Sequence, residues 1–211
     1  MLKYLIAICF CAISISFISQ TSLNFSHESG KYTNSFVLKI NGNYNKIYYT
    51  LDGSIPDRYS KKWTDSLLIS KTSILRFKPL FNDAHLDTVI NKFYLLGFNK
   101  ELPVLHLSIN HQDLWSAEKG IYVKGNSAYL DSTGDLVNTN LYKDWEKLVH
   151  LMYFDADSLS IQQDCGLKLF GESTRKYRDK SFKLIARSEY GSNVFPYQLF
   201  PLKKLDKHKH L

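Results

Sequence analysis

Cysteine is scarce in this chain. There are three in 211 residues, Cys9, Cys11 and Cys165. The first two lie in an N-terminal apolar run, so beyond that run only Cys165 remains and no internal disulfide can form. Stability must then come from the core. Cys165 sits in a strand-like run beside Gly166, where it reads as a small buried hydrophobe rather than a nucleophile. No Cys/His spacing of a metal site is present. No pair of carboxylates can be placed across a sugar, as glycoside hydrolysis requires. Helical periodicity is also scarce. The basic residues are not interleaved with the aromatic motif of a nucleic-acid module, which argues against nucleic acid as a partner. Long apolar runs are missing too. The longest spans residues 4–18, about fifteen residues broken by Ser14 and Ser16. That is short of the ~20 needed for a membrane span. With Lys3 before it and a polar stretch from Ser19, it reads as a signal peptide over residues 1–20, cleaved near 19–22, and the protein is expected to be exported, secreted or associated with the cell envelope. An uncleaved signal anchor is the alternative. Ile8 and Phe10, just before the two cysteines, are too bulky for a lipoprotein signal.

What the chain does have is aromatic residues and positive charge. Tyr and Phe number 14 and 13, in short runs that favour strands. The formal charge is +7, which suggests acidic or phosphorylated partners or serves solubility. Much of that charge is local: residues 168–187 hold seven Lys/Arg against Glu172 and Asp179, a net +5. Here Gly171, Ser173, Thr174, Arg175 and Lys180 precede the alternating run Ser181-Phe182-Lys183-Leu184. Glycine lets a backbone come close to an anion, hydroxyls donate hydrogen bonds and the cations neutralise charge. The competing reading is a solvated, charged sheet edge.

The chain divides near residues 97–102. Before that point, strands are predicted at 35–40, 46–51, 66–69, 73–80 and 88–96, with turns at 41–43, 52–54 and 82–83. Short strands at this spacing read as a β-sandwich over residues 23–97. The phrase Tyr49-Thr50-Leu51-Asp52-Gly53-Ser54-Ile55-Pro56 makes Asp52 a turn residue rather than an acid catalyst, with Gly53 at positive φ and Pro56 stopping the strand. Trp63 reads either as a packed core residue or as an exposed sugar-stacking platform. That phrase, the later run Ile69-Ser70-Lys71-Thr72-Ser73-Ile74-Leu75-Arg76 and the opening stretch 26–32 resemble the Ig-like module found at the C-terminus of chitobiases and β-hexosaminidases. The resemblance implies an accessory module, with possible carbohydrate contact and no chemistry of its own.

After residue 101 strands are predicted at 102–109, 120–123, 147–154, 158–162, 166–170 and 182–186, the fourth and fifth paired with each other. Asn110 is a candidate N-cap, with Asp113 in the first turn of a short helix. Residues 129–142 read as a loop, 155–157 as a turn, and the tail with His208 and His210 as a solvated segment.

A second resemblance rests on pieces that recur in order. They are Leu102-Pro103-Val104-Leu105-His106-Leu107, Leu114-Trp115, residues 120–126, Asp144-Trp145-Glu146, residues 149–157, and the core G-x-S-[ST]-R-x4-K-S-[FY]-[KR] running from Gly171 to Lys183. Residues 101–211 thereby resemble the N-terminal section of the spore coat protein H (CotH) kinase family. The resemblance implies a mainly β chain: an Ig-like β-sandwich followed by a partial α+β lobe of an atypical protein kinase. It also implies ATP with Mg2+ as cofactors and protein serines as substrate. Lys180 would meet the nucleotide phosphates, with Arg175 and Ser173 in or beside the phosphate-facing loop, and Lys183 facing the cleft if Ser181 points inward. The family's catalytic Asp and metal motifs lie downstream of a segment like 202–211, so no catalytic and no metal residue is assigned. The chain alone is expected to be inactive, a partial kinase core with an exposed sheet edge. The alternatives are a non-enzymatic cell-surface binding or adhesion protein, and a carbohydrate-associated accessory module.

Overall fold

The structure, a computed structural model, describes residues 23–81, 84–85, 89–97, 102–155, 158–200 and 202–211. The predicted signal peptide, the turn at 82–83 and most of the turn at 155–157 lie outside the described residues. The first part holds β1 (Asn24–Phe25), β2 (Gly30–Tyr32), β3 (Phe36–Asn41), β4 (Lys46–Thr50), β5 (Lys61–Lys62), β6 (Ser66–Ile69), β7 (Ser73–Phe81), β8 (Ala84–His85) and β9 (Ile90–Leu96). One sheet runs β1-β3-β6 and the other β2-β9-β7-β4-β5, with β8 on β7. Alternation fixes which side chains meet between them. Leu38 and Ile40 of β3 and Ile69 of β6 face Ile47 of β4, Leu75 and Phe77 of β7 and Tyr94 of β9. This is the expected sandwich. Trp63 belongs to its core, 8% exposed and edge-on to Tyr49 and Phe77, so it is no sugar platform. Asp52 is the expected turn residue: its carboxylate accepts from the Ser54 amide and hydroxyl, which hold it below the usual carboxylate range, and Gly53 has φ 78°.

The second part is a four-stranded antiparallel sheet. Its order is β10 (Val104–Ile109), β13 (Lys147–Asp155), β14 (Ser158–Phe170), β15 (Ser181–Ile185). Between β10 and β13 lie α1 (His111–Trp115) and the small hairpin of β11 (Tyr129–Leu130) and β12 (Leu136–Val137). Asn110 caps α1 as expected, its side chain accepting from the Gln112 amide at 3.0 Å. Several expectations fail. Residues 120–123 are a turn, because the Gly120, Ile121 and Tyr122 amides bond back to the carbonyls of Ser116, Asp113 and Leu114. The strands predicted at 158–162 and 166–170 do not pair with each other. They are halves of the single strand β14, which lies between β13 and β15. The C-terminal tail is solvated only in part, with Lys207, Lys209 and His210 exposed. His208 is buried and bridges Phe195, while the Leu184 and Ala186 amides donate to the carbonyls of Leu211 and Lys209. The tail therefore covers the edge of β15 that the sequence reading left bare.

The two faces of β13 organise the molecule. Val149, Leu151 and Tyr153 join Ile161, Cys165, Leu167, Leu184 and Phe195 in the second core. His150, Met152 and Phe154 face the sandwich. There Met152 and Phe154 pack on Phe93 and Leu95, with Ile74 and Val104 beside them. This is why β9 reads as a nearly unbroken apolar run. Tyr94 fills the sandwich, while Phe93 and Leu95 fill the seam between the two sheets.

Candidate functional site

The basic loop, residues 171–180, joins β14 to β15 at one end of the second sheet. The local sequence explains its shape. Gly171 leaves β14 with φ 84°, and residues Ser173–Lys176 form a single 3-10 turn. Arg175 points back into the protein. Its Nε donates to the Gly171 carbonyl and its Nη1 to the Leu141 carbonyl at 3.2 Å. Lys180 donates to the Tyr177 carbonyl at 2.6 Å, and its Nζ lies 4.6 Å from the centre of the Tyr122 ring. The Tyr122 hydroxyl in turn donates to the Arg178 carbonyl and accepts from the Lys180 amide. Ser173 is exposed on the same loop. The loop thus carries all three residues expected to face phosphate. Arg175 and Lys180 spend hydrogen bonds on main-chain carbonyls, which fix the loop's form. Ser181 is exposed, while Phe182 and Leu184 pack on the core, so the inward orientation of Ser181 is not found; Lys183 is half-buried and lines a depression with Phe170, His210 and Leu211.

The remaining cations of this region divide cleanly. Lys168 pairs with Asp144 at 2.5 Å, and Arg187 forks onto both oxygens of Glu146 at 2.8 Å each. Lys176 and Arg178 are exposed and make no ion pair among the described residues. With Ser173, they are the part of the loop able to receive an anion. The same region offers Mg2+ little. No group of three or more His, Cys, Asp or Glu able to hold a metal occurs among the described residues. Cys165 is buried beside Asp164 and Glu146, and burial foremost pushes its thiol up to about 12, so it is no nucleophile near neutral pH.

A second site was not legible in the sequence. The seam between the two sheets is apolar at one end and polar at the other. At the polar end it opens into a cleft of about 430 Å3, lined by Arg76 and Asn91 from the sandwich and by Ser108, Asp113, His150 and Asp164 from the second part. Arg76 is 6% exposed and gives Nε and Nη2 to one acceptor, the Ser108 hydroxyl, at 3.2 and 2.7 Å. Burial pulls its pKa down, partly offset by the charges of Asp164 and Asp52. His150 Nδ1 lies 2.6 Å from Asp164 Oδ1, and Asp113 pairs with Lys147 at 3.6 Å. The signal available beforehand was the polar series Ser108, His150 and Asp164 inside otherwise apolar strands. What could not be read was that β10, β13 and β14 set them side by side across from Arg76.

A protein-family model described as Fn3 associated matches residues 36–94, within the sandwich. This region is therefore a fibronectin-III-associated, Ig-like β module. No curated protein and no solved structure matches the chain.

Proposed function

We propose that this chain is the accessory sandwich and phosphate-facing sheet of an exported CotH-like kinase, a family whose activity is ATP-dependent phosphorylation of protein serines. The sandwich is read as a module of the chitobiase and β-hexosaminidase C-terminal type, now an accessory to a different activity. The observation that carries the reading is the sorting of charge on the loop at 171–180. Arg175 and Lys180 hold it in one shape, and Lys176 and Arg178, exposed on the same loop as Ser173, form no ion pair with Glu172, Asp179 or any other acid among the described residues. Phosphoryl transfer asks a protein mainly to position and neutralise phosphate. A hairpin loop of fixed form with surplus cations suits that task. ATP fits this donor set through its phosphates. The carboxylates of the described residues offer no metal cluster, so no step through Mg2+ is assigned to them.

The test is a titration of ATP, with and without Mg2+, into the protein. Lys180→Ala is expected to weaken nucleotide binding by roughly tenfold or more, about 1.4 kcal/mol. Because Lys180 also shapes the loop, the exposed Arg178→Ala serves as a second probe. It should weaken binding severalfold with an unaltered melting temperature. Unchanged affinity in both variants removes the loop from any nucleotide site. The chain alone is expected to transfer no phosphate, and radiolabel incorporation above background would contradict that. If the protein binds no nucleotide yet retains a protein or glycan ligand at the cell surface, the adhesion reading takes its place.

A further inference from the structure

The polar end of the seam carries a buried cation that forms no ion pair among the described residues, with Asp164 and Asp52 acting on it only from beyond ion-pair distance. A guanidinium removed from water loses several kcal/mol of hydration unless a carboxylate or several good acceptors replace it. Arg76 has one acceptor, the Ser108 hydroxyl, and forms no ion pair among the described residues. The two acids of the cleft are already engaged, Asp164 by His150 and Asp113 by Lys147. Beside Arg76, on the neighbouring strand and in register with it, stands Asn91. Its side-chain oxygen is buried and finds no hydrogen-bond donor. Native interiors rarely leave such atoms unpaired, and an orphan acceptor costs about 1–3 kcal/mol. So the cleft holds one unmatched cation and one unmatched acceptor. It also holds two carboxylates, each with an oxygen beyond its present partner.

We propose that this cleft binds a small hydroxylated carboxylate, of the sugar-acid or acyclic hydroxy-acid class. Its carboxylate lies on the Arg76 guanidinium and its hydroxyls donate to Asn91 Oδ1 and to the carboxylates of Asp164 and Asp113. The complementarity works in both directions. A planar carboxylate matches the guanidinium fork that a single hydroxyl leaves half used. The lining otherwise asks for hydrogen-bond donors, and a polyhydroxylated ligand supplies several. A simple anion such as acetate would leave the orphan acceptor unmet, while a neutral sugar would leave the guanidinium unmet. The volume of about 430 Å3 lies within the roughly 300–1,000 Å3 of ordinary small-ligand sites. Such a site also lies where ligand sites commonly lie, between two packed units. Its two halves come from opposite sides of the seam, so an occupant would stiffen the contact between the sandwich and the second sheet.

The test uses the whole chain and three probes: glucuronate, gluconate and glucose. Binding is read from the arginine side-chain N–H resonances and from the melting temperature. Glucuronate, gluconate or both are expected to bind saturably and to raise the melting temperature, while glucose does neither. Preference for glucuronate assigns the site to cyclic sugar acids, and preference for gluconate assigns it to acyclic hydroxy acids. Leu148 lies on the cleft and is half exposed, so Leu148→Trp fills the space without entering either core. It should weaken the carboxylate probes by about tenfold or more, with the fold retained. Asn91→Leu should weaken them severalfold. No saturable binding of either carboxylate, equal binding of glucose, or affinity untouched by Leu148→Trp would each overturn the proposal.

Discussion

Acidification from pH 7 to pH 4.5 is expected to strip up to about 2.4 kcal/mol from the stability of the protein, through His106. His106 is 8% exposed in the seam, its ring stacked on Phe93 with centroids 3.9 Å apart and planes 6° from parallel. Burial, then the nearby His150 and Arg76, pulls its pKa from 6.5 to about 4. The folded state therefore keeps this ring neutral in a range where the unfolded chain would take up a proton. The associated stability is fully present above pH 6.5. It is lost progressively as the pH falls toward 4, by up to about 1.4 kcal/mol per pH unit. The carboxylates with depressed pKa values, Glu146 and Asp52 among them, act in the same direction but in the window below about pH 4.5. The two contributions are therefore separable. Urea denaturation at intervals between pH 7.5 and 4.5 should show a falling midpoint for the native chain. A much flatter profile is expected for His106→Phe, which keeps an aromatic stack without a titrating group. Should the variant fall in parallel with the native chain, His106 is not the responsible group. Hydrogen exchange should place the acid-induced loosening in β9 and β10, whose outer faces form the seam.

The pattern of hydrophobic alternation carried most of this architecture. β6 was legible to the residue, and β3, β4, β7, β13 and β15 to within one or two; β3 and β6 put alternate residues into a core, while β13, packed on both faces, shows as a continuous apolar run. β14 was misread as two strands for a physical reason. Gln163 and Asp164 look like a polar break, yet consecutive residues of a strand point to opposite faces, so Asp164 reaches the cleft without interrupting the ladder. The tail failed differently. Nothing local distinguishes Lys207-His208-Lys209-His210 from a solvated end. Its main-chain docking, which buries His208, depends on an edge of β15 created by residues more than twenty positions earlier. The candidate sites follow the same division. Composition located the basic loop, but the partners of Arg175 and Lys180 are main-chain carbonyls, which no spacing rule reveals. Arg76 looked like any strand residue of the sandwich. Its meaning comes from a second sheet packed over it.

Gly166→Ala should be among the most damaging single-methyl additions to this protein, at about 3 kcal/mol. Gly166 lies in the middle of β14, where the backbone is extended and glycine has no conformational necessity. The constraint is a neighbour. A Cβ there would stand 2.2 Å from Glu146 Oε1 and 2.5 Å from its Cδ. Glu146 cannot step aside cheaply. Both its oxygens accept from Arg187 at 2.8 Å, and Oε1 also accepts from the Tyr190 hydroxyl at 3.1 Å. Overpacking alone costs about 1–3 kcal/mol. A hydrogen bond to a charged group contributes about 1.5–3 kcal/mol when buried. Arg187 is nearly half exposed, so solvent screens its pair with Glu146, and overpacking makes up most of the cost. The explanation makes a further demand. With the carboxylate removed by Glu146→Ala, the added methyl should meet open space, and Gly166→Ala should then cost less than about 1 kcal/mol. A double-mutant cycle on unfolding free energy thus predicts a coupling of about 2 kcal/mol between positions 146 and 166. Additive costs would mean that Gly166 is required by the backbone of β14 itself. The clamp between the residue before β13 and the segment after β15 would then lose its role in setting the position of β14.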